Sequence, residues 1–347
     1  LERPFPVPVL SRTERPRRNS QGGGVTQPEA RAPRPPAPAP EGAGPGAARL
    51  VAVGGGKGGV GKTFLTANVA ALLARGGWRV VAVDTDLEGA NLHTWLGVPS
   101  PARSLADFVA ERVHDPAELL LDTRIPGLRL LAGTHGHLGA AQPSLERRVA
   151  LLQALRRLEA DFVFVDCGAG AHAATVDYFL VGDDGLLVLH PEPTSVENAY
   201  TFLRAAFYRR MELALQKHDV RACVQEAMDQ RNARGIRTPL DLLREVRAMD
   251  PEEGRRFVAT MQGFRPRLVV NEVETSEDVK LGFSVRSVCR KYFGLDVEYT
   301  GYVNRDDAVR EAILRRQPVV DAKPGSDASI YLQRIARKLL ESTGAPR

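Results

Sequence analysis

The chain has 347 residues, 43% hydrophobic and 26% charged, ordinary proportions for a globular protein and enough for one large α/β domain plus a tail. No apolar run approaches the ~18 residues of a membrane-spanning helix, and no apolar leader with a small-residue cleavage site opens the sequence. Cys167, Cys223 and Cys289 lie far apart, which excludes a CxxC metal site and points to a reducing, cytoplasmic setting.

The net charge of +5 suggests nucleic acid until its distribution is read. Residues 1–49 carry eight Arg and four Glu, leaving 39 basic against 38 acidic residues in the rest. A basic arm on a balanced body is not a DNA-binding stripe. Those 49 residues also hold 11 of the 24 prolines and the run RAPRPPAPAPEGAGPG, so a disordered tail is expected there. The sequence opens on Leu1 rather than Met, read as a trimmed or incomplete start.

From residue 50 to 347 short β-branched runs alternate with amphipathic stretches. Strands are expected at Leu50–Gly54, Arg79–Asp84, Leu128–Ala132, Phe162–Asp166, Gly185–His190, Arg267–Asn271 and Val297–Tyr302. Helical periodicity fills Lys62–Ala74, Glu146–Leu158 and Glu277–Tyr292. Strands apolar on both faces and separated by helices imply a doubly wound, mostly parallel sheet with its ligand at the carboxyl ends of the strands. Between His190 and Arg267 only helical sequence occurs, so a helical insertion is expected at about 213–264.

Gly56–Thr63 spells GKGGVGKT, a match to GxxxxGK[ST] that follows a strand and opens a helix. Backbone N–H groups of Gly58, Gly59, Val60 and Gly61 can surround a phosphate because few Cβ atoms block its approach. Lys62 is expected to reach the β- and γ-phosphates and Thr63 to place its hydroxyl on Mg²⁺. Lys57 has no such role, because at the start of the loop it is poorly placed to curl back onto its own phosphates.

KGGVGKT resembles the deviant Walker A motif of the MinD/ParA family, part of the SIMIBI class of P-loop NTPases. The resemblance implies an ATP-sandwich homodimer in which Lys57 contacts the nucleotide of the opposite subunit, offsetting charge as an arginine finger does. VDTDLEGANLHTWLG, residues 83–97, resembles the family's switch I. Of Asp84 and Asp86 only one need point at the nucleotide; the motif selects Asp86, to position water and the Mg²⁺ shell. Glu88 interrupts the glycine-rich part of that motif and His93 replaces an aspartate; His93 is read as packed rather than metal-ligating. FVFVDCGAG resembles a Walker B strand, with Asp166 expected to hold a Mg²⁺-bound water and Gly168 and Gly170 to form switch II.

LHPEPTSVENAYTFLRA resembles the family's proline-acidic turn before a helix, with Thr194 expected as N-cap and Glu192 as a loop-shaping residue. Relatives place an asparagine where Asn271 stands, to read adenine. Gly301–Val320 resembles the segment covering the base, with Asn304 in place of a proline. Phe64 replaces a hydroxyl residue near the α-phosphate. No guanine-reading NKxD motif is present, so ATP with Mg²⁺ is the expected cofactor pair.

The resemblance covers about residues 50–205 and 266–341 and is nearest to flagellum-number regulators of the FlhG/FleN type and to MinD. It implies a slowly hydrolysing ATPase acting as a dimerisation switch that positions a cellular structure, with a protein activator or cargo adaptor and attachment at a membrane or cell pole in the ATP form. The alternative is a ParA-like partitioning ATPase that binds nonspecific DNA. Residues 1–49 contain no DQAxxLR-type segment of the FlhG kind. The last helix, Ser329–Ser342, is read as the domain's own, burying Ile330, Leu332, Ile335 and Leu339, rather than as a membrane anchor.

Overall fold

The computed structural model describes residues 48–86, 89–133, 143–229 and 231–341. The expected tail, apart from Ala48 and Arg49, and Glu88 lie outside the described residues. Eight strands form one sheet: β1 (Arg49–Gly54), β2 (Val80–Asp84), β3 (Leu121–Asp122), β4 (Leu128–Leu131), β5 (Phe162–Asp166), β6 (Asp184–Leu189), β7 (Arg267–Val273) and β8 (Glu298–Asn304). Their spatial order is β3-β4-β2-β5-β1-β6-β7-β8. Every pairing is parallel except that of β3 with β4. All seven expected strands are present, and β3 is an additional two-residue edge strand.

β2 and β5 are buried at every position, which is why VVAVD and FVFVD are apolar on both faces. One face is covered by α1 (Lys62–Arg75) with α2 (Leu92–Trp95). The other carries α3 (Leu105–Val109), α4 (Leu145–Leu155), α5 (Ala173–Leu180) and α6 (Pro193–Ala214). The insertion follows as α7 (His218–Met228), α8 (Pro239–Met249) and α9 (Pro251–Gln262). α10 (Ser276–Val288) joins their side of the sheet, while α11 (Asp307–Leu314), α12 (Val319–Ala322) and α13 (Asp327–Glu341) return towards α1.

The insertion is tied to the sheet rather than appended to it. Phe207 of α6 meets Phe257 of α9 edge-on at 5.9 Å, and both rings belong to the core that also contains Leu187 of β6 and Leu268 of β7. Its corners are set locally. The Thr238–Asp241 capping box starts α8, and Asp250 ends α8 while accepting the N–H groups of Glu252 and Glu253 to start α9.

Two local expectations are corrected. Thr194 is not an N-cap: Pro193, with its fixed φ, takes the first helical position of α6, so Glu192 is the flanking residue. On α13, Leu332, Ile335 and Leu339 are buried as expected, but Ile330 is only half-buried; Ala328, Ala336 and Leu340 complete the inward face. The three cysteines are free and buried. No helix among the described residues is long and apolar enough to cross a membrane.

Candidate functional site

β1 ends at Gly54 and α1 begins at Lys62, so the residues between form a loop at the carboxyl edge of the sheet. Its shape depends on glycine at two kinds of position. Gly59 (φ 79°) and Gly61 (φ 93°) are left-handed, a conformation that side-chained residues rarely adopt. Gly56 instead lies against α6, where a Cβ would stand 1.9 Å from the Asn198 carbonyl oxygen. A Cβ on Gly59 would meet nothing within 4 Å, so that turn opens onto free space.

The free space is a cavity of about 650 Å³. Gly58, Gly59, Gly61, Lys62, Thr63, Phe64, Asp86, Asp166 and Asn271 all line it, joined by Asn91 and Trp95 of the α2 segment and by Arg305, Asp306, Asp307, Val309, Arg310 and Ile313 at the far end. Gly56, Lys57 and Val60 do not line it: Val60 is buried in the core, and Gly56 seats the loop on α6.

Lys62 lies inside, 7% exposed, with Nζ donating to the Lys57 carbonyl oxygen at 3.3 Å. Lys57 points the other way. Its side chain is 43% exposed, with Nζ 3.5 Å from Glu192 Oε2 and 3.4 Å from Thr194 Oγ1. Thus Glu192 and Thr194, at the start of α6, hold the lysine outside the loop.

Three carboxylates lie near the carboxyl ends of β2 and β5, where the charges of Asp84, Asp86 and Lys62 all act on Asp166. Asp84 and Asp166 are register neighbours on β2 and β5. Asp84 is buried and accepts the N–H groups of Asp86 (3.1 Å) and Leu92 (3.0 Å), so it shapes the turn into α2 instead of facing the cavity. Burial raises its pKa to about 7, with those N–H groups opposing the shift. Burial, then the charge of Asp84, pushes Asp166 well above the usual carboxylate range, while a hydrogen bond from Thr63 and the charge of Lys62 pull it back. Asp86 is the carboxylate left half-exposed at the cavity wall, accepting the Gly89 N–H at 2.8 Å. His93 is buried, its Nε2 3.3 Å from Thr94 Oγ1, as a packed histidine should be.

A hydroxyl and a buried carboxylate beside a glycine-opened cavity form a hard oxygen set that fits Mg²⁺. No group of three or more His, Cys, Asp or Glu able to hold a metal occurs among the described residues. Thr63, Asp86 and Asp166, the residues expected at Mg²⁺, all line the cavity, so magnesium here would rest on Thr63 and Asp166 with Asp86 at its water shell, completed by phosphate oxygens.

Asn271 braces the loop, which the sequence did not reveal. Its Nδ2, the donor that an adenine edge would need, donates to the Val60 carbonyl oxygen at 3.1 Å. The β7–β8 register shifts between Val270 and Val273, and Glu272 is left-handed (φ 56°). That bulge re-aims Asn271 from the sheet edge beneath the loop. Sequence reasoning also missed Trp95, which meets Phe64 at 5.6 Å on the cavity wall. The only signal for it was an aromatic residue four positions after Asn91.

The family model for the CobQ/CobB/MinD/ParA nucleotide binding domain matches residues 51–319. The chain is 28% identical over 293 residues to the antiactivator FleN of Pseudomonas aeruginosa, covering 84% of this chain and 86% of that protein. It is 26% identical over 274 residues to the septum site-determining protein MinD of Synechocystis, covering 77% and 98%. Among solved structures, MinD of Pyrococcus horikoshii complexed with Mg-ADP superposes with a TM-score of 0.60 at 21% identity, covering 86% of this chain and 98% of that one, a likeness of fold. The family match runs from β1 into α12 and takes in the loop, Asp86, Asp166 and Asn271, and the chain belongs to the CobQ/CobB/MinD/ParA nucleotide-binding family.

Proposed function

We propose that the chain is an ATP-binding, slowly hydrolysing ATPase whose nucleotide-bound form dimerises, and that this switch positions a cellular structure such as a flagellum or division site. The observation that carries the reading is the division of labour between two lysines of one loop. Lys62 is buried against the cavity, whereas Lys57 is held outside it on an exposed ion pair. A cation so placed is available to a second nucleotide across a subunit interface, where it would offset charge on the transferring group.

Thr63 and Asp166 would hold Mg²⁺, which when bound neutralises phosphate charge. Lys62 and the N-terminus of α1 then bind the phosphates, and Asp86, at the cavity wall, orients the attacking water. The named role of the MinD relative, septum-site determinant, supports a positioning function for this chain.

Size-exclusion chromatography with light scattering tests the reading. The wild type is expected to be monomeric with ADP and dimeric with a non-hydrolysed ATP analogue. Lys57→Ala should abolish the dimer while retaining nucleotide binding, and Lys62→Ala should impair both. A Lys57→Ala protein that still dimerises normally removes the cross-subunit role. Repeating the measurement with anionic liposomes and with nonspecific DNA at rising salt separates the positioning reading from the DNA-partitioning one.

A further inference from the structure

A second polar cavity, of about 380 Å³, lies at the amino ends of β6 and β7, the pole of the sheet opposite the nucleotide cavity. It occupies the root of the helical insertion: α6 supplies one wall before the chain leaves the sheet, and Gly263–Pro266 supplies another as it returns. Three guanidinium groups line it, from Arg156, Arg210 and Arg265, against one carboxylate, Asp183.

The charges are not balanced. Arg156 is satisfied by Asp183 at 3.1 Å and by the Val181 carbonyl oxygen at 2.7 Å. Asp183 is further committed to the Leu50 N–H at 2.9 Å. Arg265 is exposed and donates from Nε to the Gln262 carbonyl oxygen at 3.4 Å.

Arg210 is the unusual member. It is half-buried, its Cζ stands 5.5 Å over the Phe264 ring, and its Nη2 reaches only the Gly263 carbonyl oxygen, at 3.4 Å. Its Nε is buried with no hydrogen-bond partner, and no carboxylate within ion-pair distance of it occurs among the described residues. Burial lowers its pKa with no neighbouring anion raising it. A half-buried cation left in this state is costly, and an anion in the cavity that accepts from its Nη groups, which unlike Nε are not sealed off, recovers part of the cost.

We propose that this cavity binds a small oxyanion, a phosphate ester or a dicarboxylate, clamped between Arg210 and Arg265 at the root of the helical insertion. The planar guanidinium of Arg210, fixed over Phe264, offers the fork geometry that phosphate and carboxylate share. The volume suits a small anion, and the two arginines come from either side of the insertion. An occupied site therefore cross-links α6 to the segment leading into β7.

The full chain, saturated with ADP and Mg²⁺, is titrated with inorganic phosphate and separately with succinate while thermal unfolding is followed. Millimolar phosphate or succinate should raise the wild-type midpoint. Arg265→Gln, at an exposed position that leaves folding intact, should need about ten-fold more anion for the same shift, as loss of one charge-assisted hydrogen bond requires. Arg210→Gln should abolish the shift, and Arg244→Gln, an exposed arginine of α8, should leave it unchanged. A response to phosphate alone assigns a phosphate ester, to succinate alone a dicarboxylate, and either supports the site. No response to either anion, or equal shifts in the wild type, Arg265→Gln and Arg210→Gln, overturns it. An anion captured by the nucleotide loop gives equal shifts in all variants, so the result does not depend on the proposed ATPase activity.

Discussion

The brace beneath the phosphate loop yields a quantitative prediction. Gly61 is left-handed at φ 93°, and a Cβ there would stand 2.2 Å from Asn271 Nδ2 and 3.2 Å from its Cγ. Gly61→Ala therefore has two separable costs. Forcing alanine into the left-handed region costs about 1–2 kcal/mol. Pushing Asn271 aside breaks its bond to Val60 and leaves a buried amide unpaired, a further ~1–3 kcal/mol. In the wild-type background the substitution should cost about 2–5 kcal/mol. In an Asn271→Ala background the obstructing amide is already gone, so only the strain of about 1–2 kcal/mol remains. Denaturant unfolding of the four proteins in this cycle gives the coupling directly, expected at about 1–3 kcal/mol. Titration with a fluorescent nucleotide analogue should show Gly61→Ala and Asn271→Ala both weakening binding, and the double variant little worse than either. If Gly61→Ala costs the same with and without Asn271, the amide does not brace the loop.

Other consequences follow from groups elsewhere in the molecule. Asp86→Ala should give a long-lived ATP dimer with little turnover; normal phosphate release would remove Asp86 from the site. Asp177 on α5 is buried between Arg209 of α6 (2.8 Å) and Arg148 of α4 (3.4 Å). Asp177→Asn should destabilise by about 3 kcal/mol, the low end for a broken buried pair because Arg209 keeps Glu212, as urea unfolding can check. Asp250 has a pKa lowered to about 2, first by its hydrogen bond from Lys217 and then by the Glu253 N–H. Its stabilisation is complete above the ordinary carboxylate value of ~3.9 and fades as pH falls towards that lowered value. The acid-unfolding curve of Asp250→Asn should therefore lose part of its dependence on pH below about 4; an unchanged acid limb would contradict the assignment.

The legible parts of the fold were those in which one segment suffices. VVAVD and FVFVD announce buried parallel strands because the four positions before the terminal aspartate are apolar on both faces, whichever helix covers them. GKGGVGKT announces its loop because the chemistry is carried by consecutive backbone groups. β3 escaped notice because two residues, Leu121 and Asp122, carry no periodicity and pair only along an antiparallel edge. The role of Asn271 was hidden for a different reason. It depends on a bulge created by the pairing of β7 with β8, and its acceptor lies 211 residues away. The basic cavity at the opposite pole joins the residue that ends α4, the end of α5, β6, α6 and two inter-element loops, so no window of sequence contains it.

These long-range contacts converge on α6. Its amino end holds Lys57 through Glu192 and Thr194. Its second half bonds Asp177 of α5, the helix that follows the Gly168–Gly170 loop, and Glu212 accepts from Gln225 of α7 in the insertion at 2.5 Å. A helix of 22 residues spans about 33 Å and behaves as one rigid element. The Lys57–Glu192 contact is exposed and 3.5 Å long, the kind worth about 0–1 kcal/mol. A hydrogen bond to a phosphate oxygen is worth about 1.5–3 kcal/mol, so Lys57 can leave Glu192 at little cost once a nucleotide is offered from a second subunit. The Asp177 pair, by contrast, is buried and hard to break. The weak contact thus sits where the proposed dimer requires release, and the strong one where the helix after the Gly168–Gly170 loop is fastened to α6. The insertion therefore has a contiguous physical connection to both, through a single helix as well as through the core it shares with the sheet.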